Sequence, residues 1–170
     1  MRTRSKAAFL IIAISFATCS VLAQNDTSVP FPTGYRQWVH IATVYRGAEN
    51  PVFKQQPCTK PCAGGVFQYF ANPKALEGYR TGKFPDGAII ADEFMQMDDA
   101  PQQPATSYEG ARRGVGVMVK DSSKYPATGG WGFESFKGDS RQPDHSSASC
   151  YGCHNAVRKE HDLVFLSYKE

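Results

Sequence analysis

Gly65-Val66-Phe67-Gln68-Tyr69-Phe70-Ala71-Asn72-Pro73-Lys74-Ala75-Leu76-Glu77-Gly78-Tyr79-Arg80-Thr81-Gly82-Lys83-Phe84-Pro85-Asp86-Gly87-Ala88-Ile89-Ile90-Ala91 carries three elements and the punctuation between them. Gly65 to Ala71 is rich in aromatic residues and reads as a strand. Asn72-Pro73 closes it, because proline cannot donate to a ladder. Lys74 to Arg80 reads as a short helix, with Pro73 near its first turn and Gly82 at its end. Phe84 to Gly87 supplies turn residues, and Ala88 to Ala91 opens a further apolar run that reaches Met97.

Working outward, Pro30 to Gly34 is a lead-in, and Gln37 to Tyr45 is rich in β-branched and aromatic residues with partial alternation, which reads as a strand. Downstream, Asp98 to Ser107 holds Pro101 and Pro104 and reads as a loop. Gly114 to Val119 and Trp131 to Phe136 are two more strands, separated by the polar segment Lys120 to Gly130. Ser147 to Glu160 has good helix formers and few β-branched residues. The fold expected is α+β: a mostly antiparallel sheet of about five strands, with short helices and a C-terminal helix.

The first residues combine Arg2, Arg4 and Lys6 with an apolar run from Ala7 to Thr18 and small residues ending at Ala23. That is the pattern of a cleaved secretory signal over residues 1–23. The run is shorter than the roughly 20 residues needed to cross a bilayer, so no membrane span is expected. Cys19 offers a lipoprotein alternative, but the residues before it match a lipobox poorly. Of 19 Lys+Arg and 16 Asp+Glu, the signal takes three cations and no acid, which leaves the remainder formally neutral. Neutrality gives no electrostatic reason to expect nucleic acid or an anionic membrane as partner. Residues 24–170 are expected to form a single domain.

Cys150-Tyr151-Gly152-Cys153-His154 matches C-x-x-C-H, the attachment sequence of c-type haem. Two thiols three residues apart on one helical turn can reach the two vinyl groups, and the adjacent imidazole then points at the iron. Cys150 and Cys153 are therefore the expected covalent anchors of one haem c, and His154 the iron ligand. Such attachment takes place outside the cytoplasm in bacteria, which agrees with export and points to the periplasm.

The rival reading makes Cys150 and Cys153 half of a zinc site, with Cys58 and Cys62 as the other half. The C-x-x-x-C spacing beside Pro57 and Pro61, and the oxidising compartment, favour a Cys58–Cys62 disulfide instead. His40, His145 and His161 read as surface or hydrogen-bonded residues rather than second iron ligands. Met95, Met97 and Met118 could supply a sixth ligand, although packing in a strand is the commoner use of methionine.

In this order, Phe31-Pro32-x-Gly34-Tyr35-Arg36-x-Trp38-Val39, Tyr69 to Gly87, Val119 to Ser122, Gly130 to Phe133 and Cys150 to His154 resemble the cytochrome P-460 family, which includes the cytochromes c′-beta. The resemblance covers most of the chain beyond the signal. It implies a largely antiparallel sheet dimer with the haem against one face. In hydroxylamine-oxidising members, a lysine five residues beyond the turn glycine cross-links to the porphyrin, and here that position is Asp92. Their proton-transferring carboxylate falls on Gly116 and a distal arginine on Phe67.

These departures point away from hydroxylamine oxidation, and Phe67 over an open iron site looks instead like the gas-binding cytochromes c′-beta, so the expectation is a periplasmic mono-haem cytochrome with five-coordinate iron. It would bind a small ligand such as nitric oxide, beneath Phe67, or pass electrons to a redox partner. The alternatives are an oxidoreductase acting on hydroxylamine or peroxide with Asp92 as acid/base, and a six-coordinate electron carrier.

Overall fold

The structure, a computed structural model, describes residues 28–55, 57, 58, 62–144 and 150–168. The proposed signal, Cys19 and His145 fall outside the described residues. Five strands, β1 (Val39–Gly47), β2 (Gly64–Ala71), β3 (Ile89–Asp99), β4 (Ser107–Lys120) and β5 (Trp131–Lys137), form one sheet in sequence order. Every neighbouring pair is antiparallel. Among the described residues three short α-helices accompany it: α1 (Val52–Gln55), α2 (Pro73–Thr81) and α3 (Cys150–Arg158). This is the α+β class that the strand and helix patterns predict.

The stretch from Gly65 to Ala91 folds as strand, helix, turn and strand, and Asn72 ties it together. Its Oδ1 accepts from the N–H of Ala75 (2.8 Å), capping α2, and from Ile89 at the start of β3 (3.0 Å). Its Nδ2 donates to the Gly87 carbonyl at 2.9 Å. At the other end Gly82, at φ 77°, donates its N–H to the Gly78 carbonyl, a left-handed cap that glycine adopts without a Cβ penalty.

Three elements differ from the sequence reading. Tyr35–Gln37 forms a 3-10 turn that returns the Trp38 N–H to the Tyr35 carbonyl, so β1 starts at Val39 rather than Gln37 and continues to Gly47. β4 begins at Ser107, well ahead of Gly114. Its first half is polar and half-exposed, and is held by β3 through Asp99–Ser107, Asp98–Tyr108 and Met97–Glu109 pairing rather than by an apolar pattern of its own. The loop between β3 and β4 shrinks accordingly. The one-turn helix α1 has no periodicity to announce it; Phe53 inserts beside Phe94.

Because side chains alternate along a strand, the sheet has two faces. On one, Val29, Phe31 and Tyr35 of the leading segment pack over Phe70, Ala91, Val115, Val117 and Phe136. Glu93, 2 % exposed, anchors that cover: Arg36 Nε donates to it at 3.0 Å and Arg112 Nη1 at 3.2 Å. Burial works to raise the Glu93 pKa, but the bonds from Arg36, Tyr35 and Arg112 outweigh it and hold the carboxyl below its usual range. The other face carries two apolar clusters, one around Phe84, Trp131 and Leu163 and one around Phe53, Phe67 and Phe94.

Candidate cofactor site

On that second face lies a cavity of about 1000 Å³. Its walls take residues from every strand and from the C-terminal segment, including Phe67, Asp92, Gly116 and Phe133 on the sheet and Phe165 beyond α3. Cys150, Cys153 and His154 of α3 line it as well, so the structure brings all five predicted site residues to one space. In a helix the spacings 150, 153 and 154 fall on one side, which is why a single short helix can present two thiols and an imidazole together.

The His154 ring is fixed from behind. Nδ1 stands 2.6 Å from the carbonyl oxygen of Leu163. A carbonyl can only accept, so Nδ1 carries the proton and Nε2 keeps the free lone pair. The ring packs against Phe165 (4.5 Å between centroids) and Phe133 (5.1 Å). Burial lowers the His154 pKa, partly opposed by the bond to Leu163, which favours the neutral, ligating form. Cys150 and Cys153 are free thiols, and burial, with Asp92 nearby, raises the Cys150 pKa.

On the sheet side, Phe67 is 7 % exposed and stacks on Phe94 with centroids 4.3 Å apart. The Arg46 guanidinium lies over the Phe67 ring at 4.1 Å. Asp92 pairs across the ladders with Tyr69 and Gly116. Its carboxyl covers Gly116, where an added Cβ would collide with Asp92 Oδ1. Two of the three departures from the family pattern are thus a single arrangement, the Asp92 carboxyl on β3 occupying the space above the bare Gly116 backbone on β4. Desolvation raises the Asp92 pKa to about 6, with Arg46 pulling the other way.

Arg46, Tyr69 and Tyr79 also line the cavity and are not among the site residues that the sequence points to. Tyr69 could have been found, since it stands two residues from Phe67 on one strand and must share its face. Ending β1 at Tyr45 leaves Arg46 out by one residue. Tyr79, on α2, has a buried hydroxyl with no partner among the described residues. Burial raises its pKa, and raises that of Tyr69 to about 12.

The other candidates lie elsewhere. His40 Nε2 is 2.9 Å from Thr43 Oγ1 on the exposed surface, and His161 faces Glu160 at 3.7 Å. Of the three strand methionines, Met118 reaches the cavity wall. Cys58 and Cys62 have Cα atoms 6.3 Å apart with their sulfurs at bonding distance, and Cys58 borders the Phe53–Phe67–Phe94 cluster. Among the described residues no group of three or more His, Cys, Asp or Glu side chains is placed to share a metal.

An antiparallel sheet that gives one face to a large cavity, edged by a helix bearing two thiols and an imidazole, defines a cofactor-enclosing α+β protein. Residues 32–166 match the family described as Cytochrome P460, and the chain belongs to that family. Membership implies haem c with its iron. No curated protein matches the chain. Among the described residues no helix is long and apolar enough to cross a membrane.

The residues present suit that group. The cavity is at the large end of small-molecule pockets, its walls are mainly apolar, both thiols and a neutral imidazole border it, and the Tyr79 hydroxyl lacks a partner among the described residues. Asp92 gives a test that needs no cofactor chemistry. Its pKa is raised from 3.8 on folding, so its ionised form opposes folding as pH climbs through about 4 to 6. Asp92→Asn is expected to be more stable than the parent above pH 6, by urea unfolding, with the gap closing below pH 4. A gap that grew in acid would show the carboxyl to be stabilised as the anion instead.

Proposed function

We propose that the chain is an exported, periplasmic mono-haem c protein whose iron keeps one open position for a small neutral ligand such as nitric oxide, and which can also pass electrons. Cys150 and Cys153 hold the haem covalently, and Nε2 of His154 is the proximal ligand. Residues 1–23 are the cleaved signal, residues 24–170 the single haem domain, and Cys58 and Cys62 a disulfide of the exported form. The resemblance adds a homodimer. When bound, the haem supplies an iron that takes a diatomic ligand and changes oxidation state.

The observation that carries this reading is the cavity itself, bordered by both thiols and by a histidine whose Nδ1 is already committed to Leu163. His154 is the one histidine of the described residues on its wall, which supports a five-coordinate iron. Phe67 and Phe94 give the sheet wall a stacked apolar surface, beside the Arg46 guanidinium, and apolar surface of that kind suits an uncharged diatomic molecule. The test is absorption spectroscopy of the oxidised, reduced and nitric-oxide-treated protein. A high-spin ferrous spectrum that shifts on adding nitric oxide is expected, and a low-spin six-coordinate spectrum indifferent to it would overturn the reading.

One observation favours a second reading, an oxidoreductase acting on hydroxylamine or peroxide. The Asp92 carboxyl lies on the cavity wall with a pKa suited to acid/base work near neutrality. Steady turnover of either substrate that Asp92→Asn abolished, with nitric oxide binding intact, would establish it.

A further inference from the structure

The carbonyl that receives the His154 proton belongs to an unusual piece of backbone. Asp162 and Leu163 both adopt positive φ, 50° and 66°. Aspartate tolerates that region, but leucine rarely visits it. Such a conformation persists where its surroundings over-determine it. Here one side chain supplies three of the bonds that hold it. Asp162 Oδ1 accepts from Lys120 Nζ at 2.6 Å and from the Trp131 indole N–H at 3.2 Å. Asp162 Oδ2 accepts from the backbone N–H of Phe84 at 3.0 Å.

Those three donors come from the end of β4, the start of β5 and the turn that leads into β3. Lys120 is itself fixed, by a second bond to the Gly129 carbonyl at 3.0 Å. Leu163 and Val164, 5 % and 6 % exposed, are seated in the Phe84–Trp131 cluster, and the Leu163 N–H returns to the Arg158 carbonyl at 2.9 Å. The turn is therefore pinned to the sheet at its first residue and presents its second carbonyl to the histidine.

We propose that Asp162 is a positioning residue for the cofactor site, setting through the pinned Asp162–Leu163 turn how strongly the Leu163 carbonyl holds Nδ1–H of His154. The proposal rests on His154 as the proximal ligand. A short bond from Nδ1 gives the ring imidazolate character and makes Nε2 a stronger donor, which stabilises ferric over ferrous iron. Slackening the turn lengthens that bond, weakens the donor and raises the reduction potential. Asp162 does this without touching His154 itself.

The test uses the mature, haem-loaded full chain. Asp162→Asn keeps a residue that tolerates left-handed backbone while removing the charge that faces Lys120. Lys120→Met removes the strongest donor and leaves Asp162 in place, and Trp131→Phe removes one donor while keeping most of the ring bulk. The readouts are the iron–histidine stretching band of the ferrous protein by resonance Raman and the reduction potential. All three variants are expected to lower the band frequency and raise the potential, least for Trp131→Phe. Combining Asp162→Asn with Lys120→Met should add little beyond the larger single effect, because both break one link.

A parent-like band and potential in the variants that mature, even with a lowered unfolding midpoint, would overturn the proposal in favour of a purely structural aspartate. Failure of all three to mature with haem would also overturn it, since a tuning contact should not abolish assembly. In a separate control, His154→Ala must remove the band. If it does not, the proximal assignment fails, which is a different result from parent-like Asp162 variants.

Discussion

The double variant Cys150→Ala, Cys153→Ala is expected to lose its haem completely to acid–acetone, whereas the parent keeps all of it in the protein fraction. The expectation follows from the helix geometry. Both thiols stand on the cavity side of α3 and are free, so each can form a thioether to one vinyl group. On the proposed assignment, removing both leaves the His154 bond to iron and apolar contact with the sheet as the attachment, and acid would protonate the imidazole and release the ring. Single variants should retain one thioether and resist extraction. Covalent haem retained in the double variant would show that another nucleophile, such as Asp92 or Tyr79 on the same wall, had made the link.

The largest stability effect is expected at Trp131→Ala. Trp131 is fully buried; its ring meets Phe84 edge-on at 5.5 Å, and Lys120 Nζ stands 5.0 Å over it. Truncating a buried tryptophan costs about 3–5 kcal/mol, through lost transfer energy and the cavity left behind. Here the indole N–H also leaves Asp162, and the cluster that seats Leu163 loses its central ring. Against a total of roughly 5–15 kcal/mol for an ordinary domain, that removes a large share of the stability. Urea unfolding of the parent and variant measures it. A loss under about 1 kcal/mol, well short of the truncation range, would mean that neighbouring side chains collapse into the space, and would weaken the case that Trp131 organises this end of the cavity.

Legibility in the sequence tracked how local the cause was. Asn72-Pro73 and Gly82 mark α2 because capping and turn chemistry act within a few residues, and C-x-x-C-H is readable because one helical turn supplies its geometry. β4 ahead of Gly114 was hidden, since Ser107 to Arg113 owes its extended form to β3 and not to its own composition. Arg46 and Tyr79 join the cavity through strand length and helix docking, which no local pattern encodes, whereas Tyr69 follows from its two-residue spacing to Phe67. Asp92 was visible as a departure from relatives. That it faces the cavity and fills the room above Gly116 could come only from the cross-strand pairing.

The sheet order, each strand beside its neighbour in sequence, bears on how the molecule is put together. A meander can zip up hairpin by hairpin as the chain emerges, with each ladder requiring only the segment before it. α3 comes last and belongs to none of these ladders, so the cavity face can be complete while its thiol-bearing edge still hangs free. Attachment machinery would then meet the thiols on an accessible tail beside a finished wall, and docking of Leu163 against Trp131 would shut the assembly afterwards.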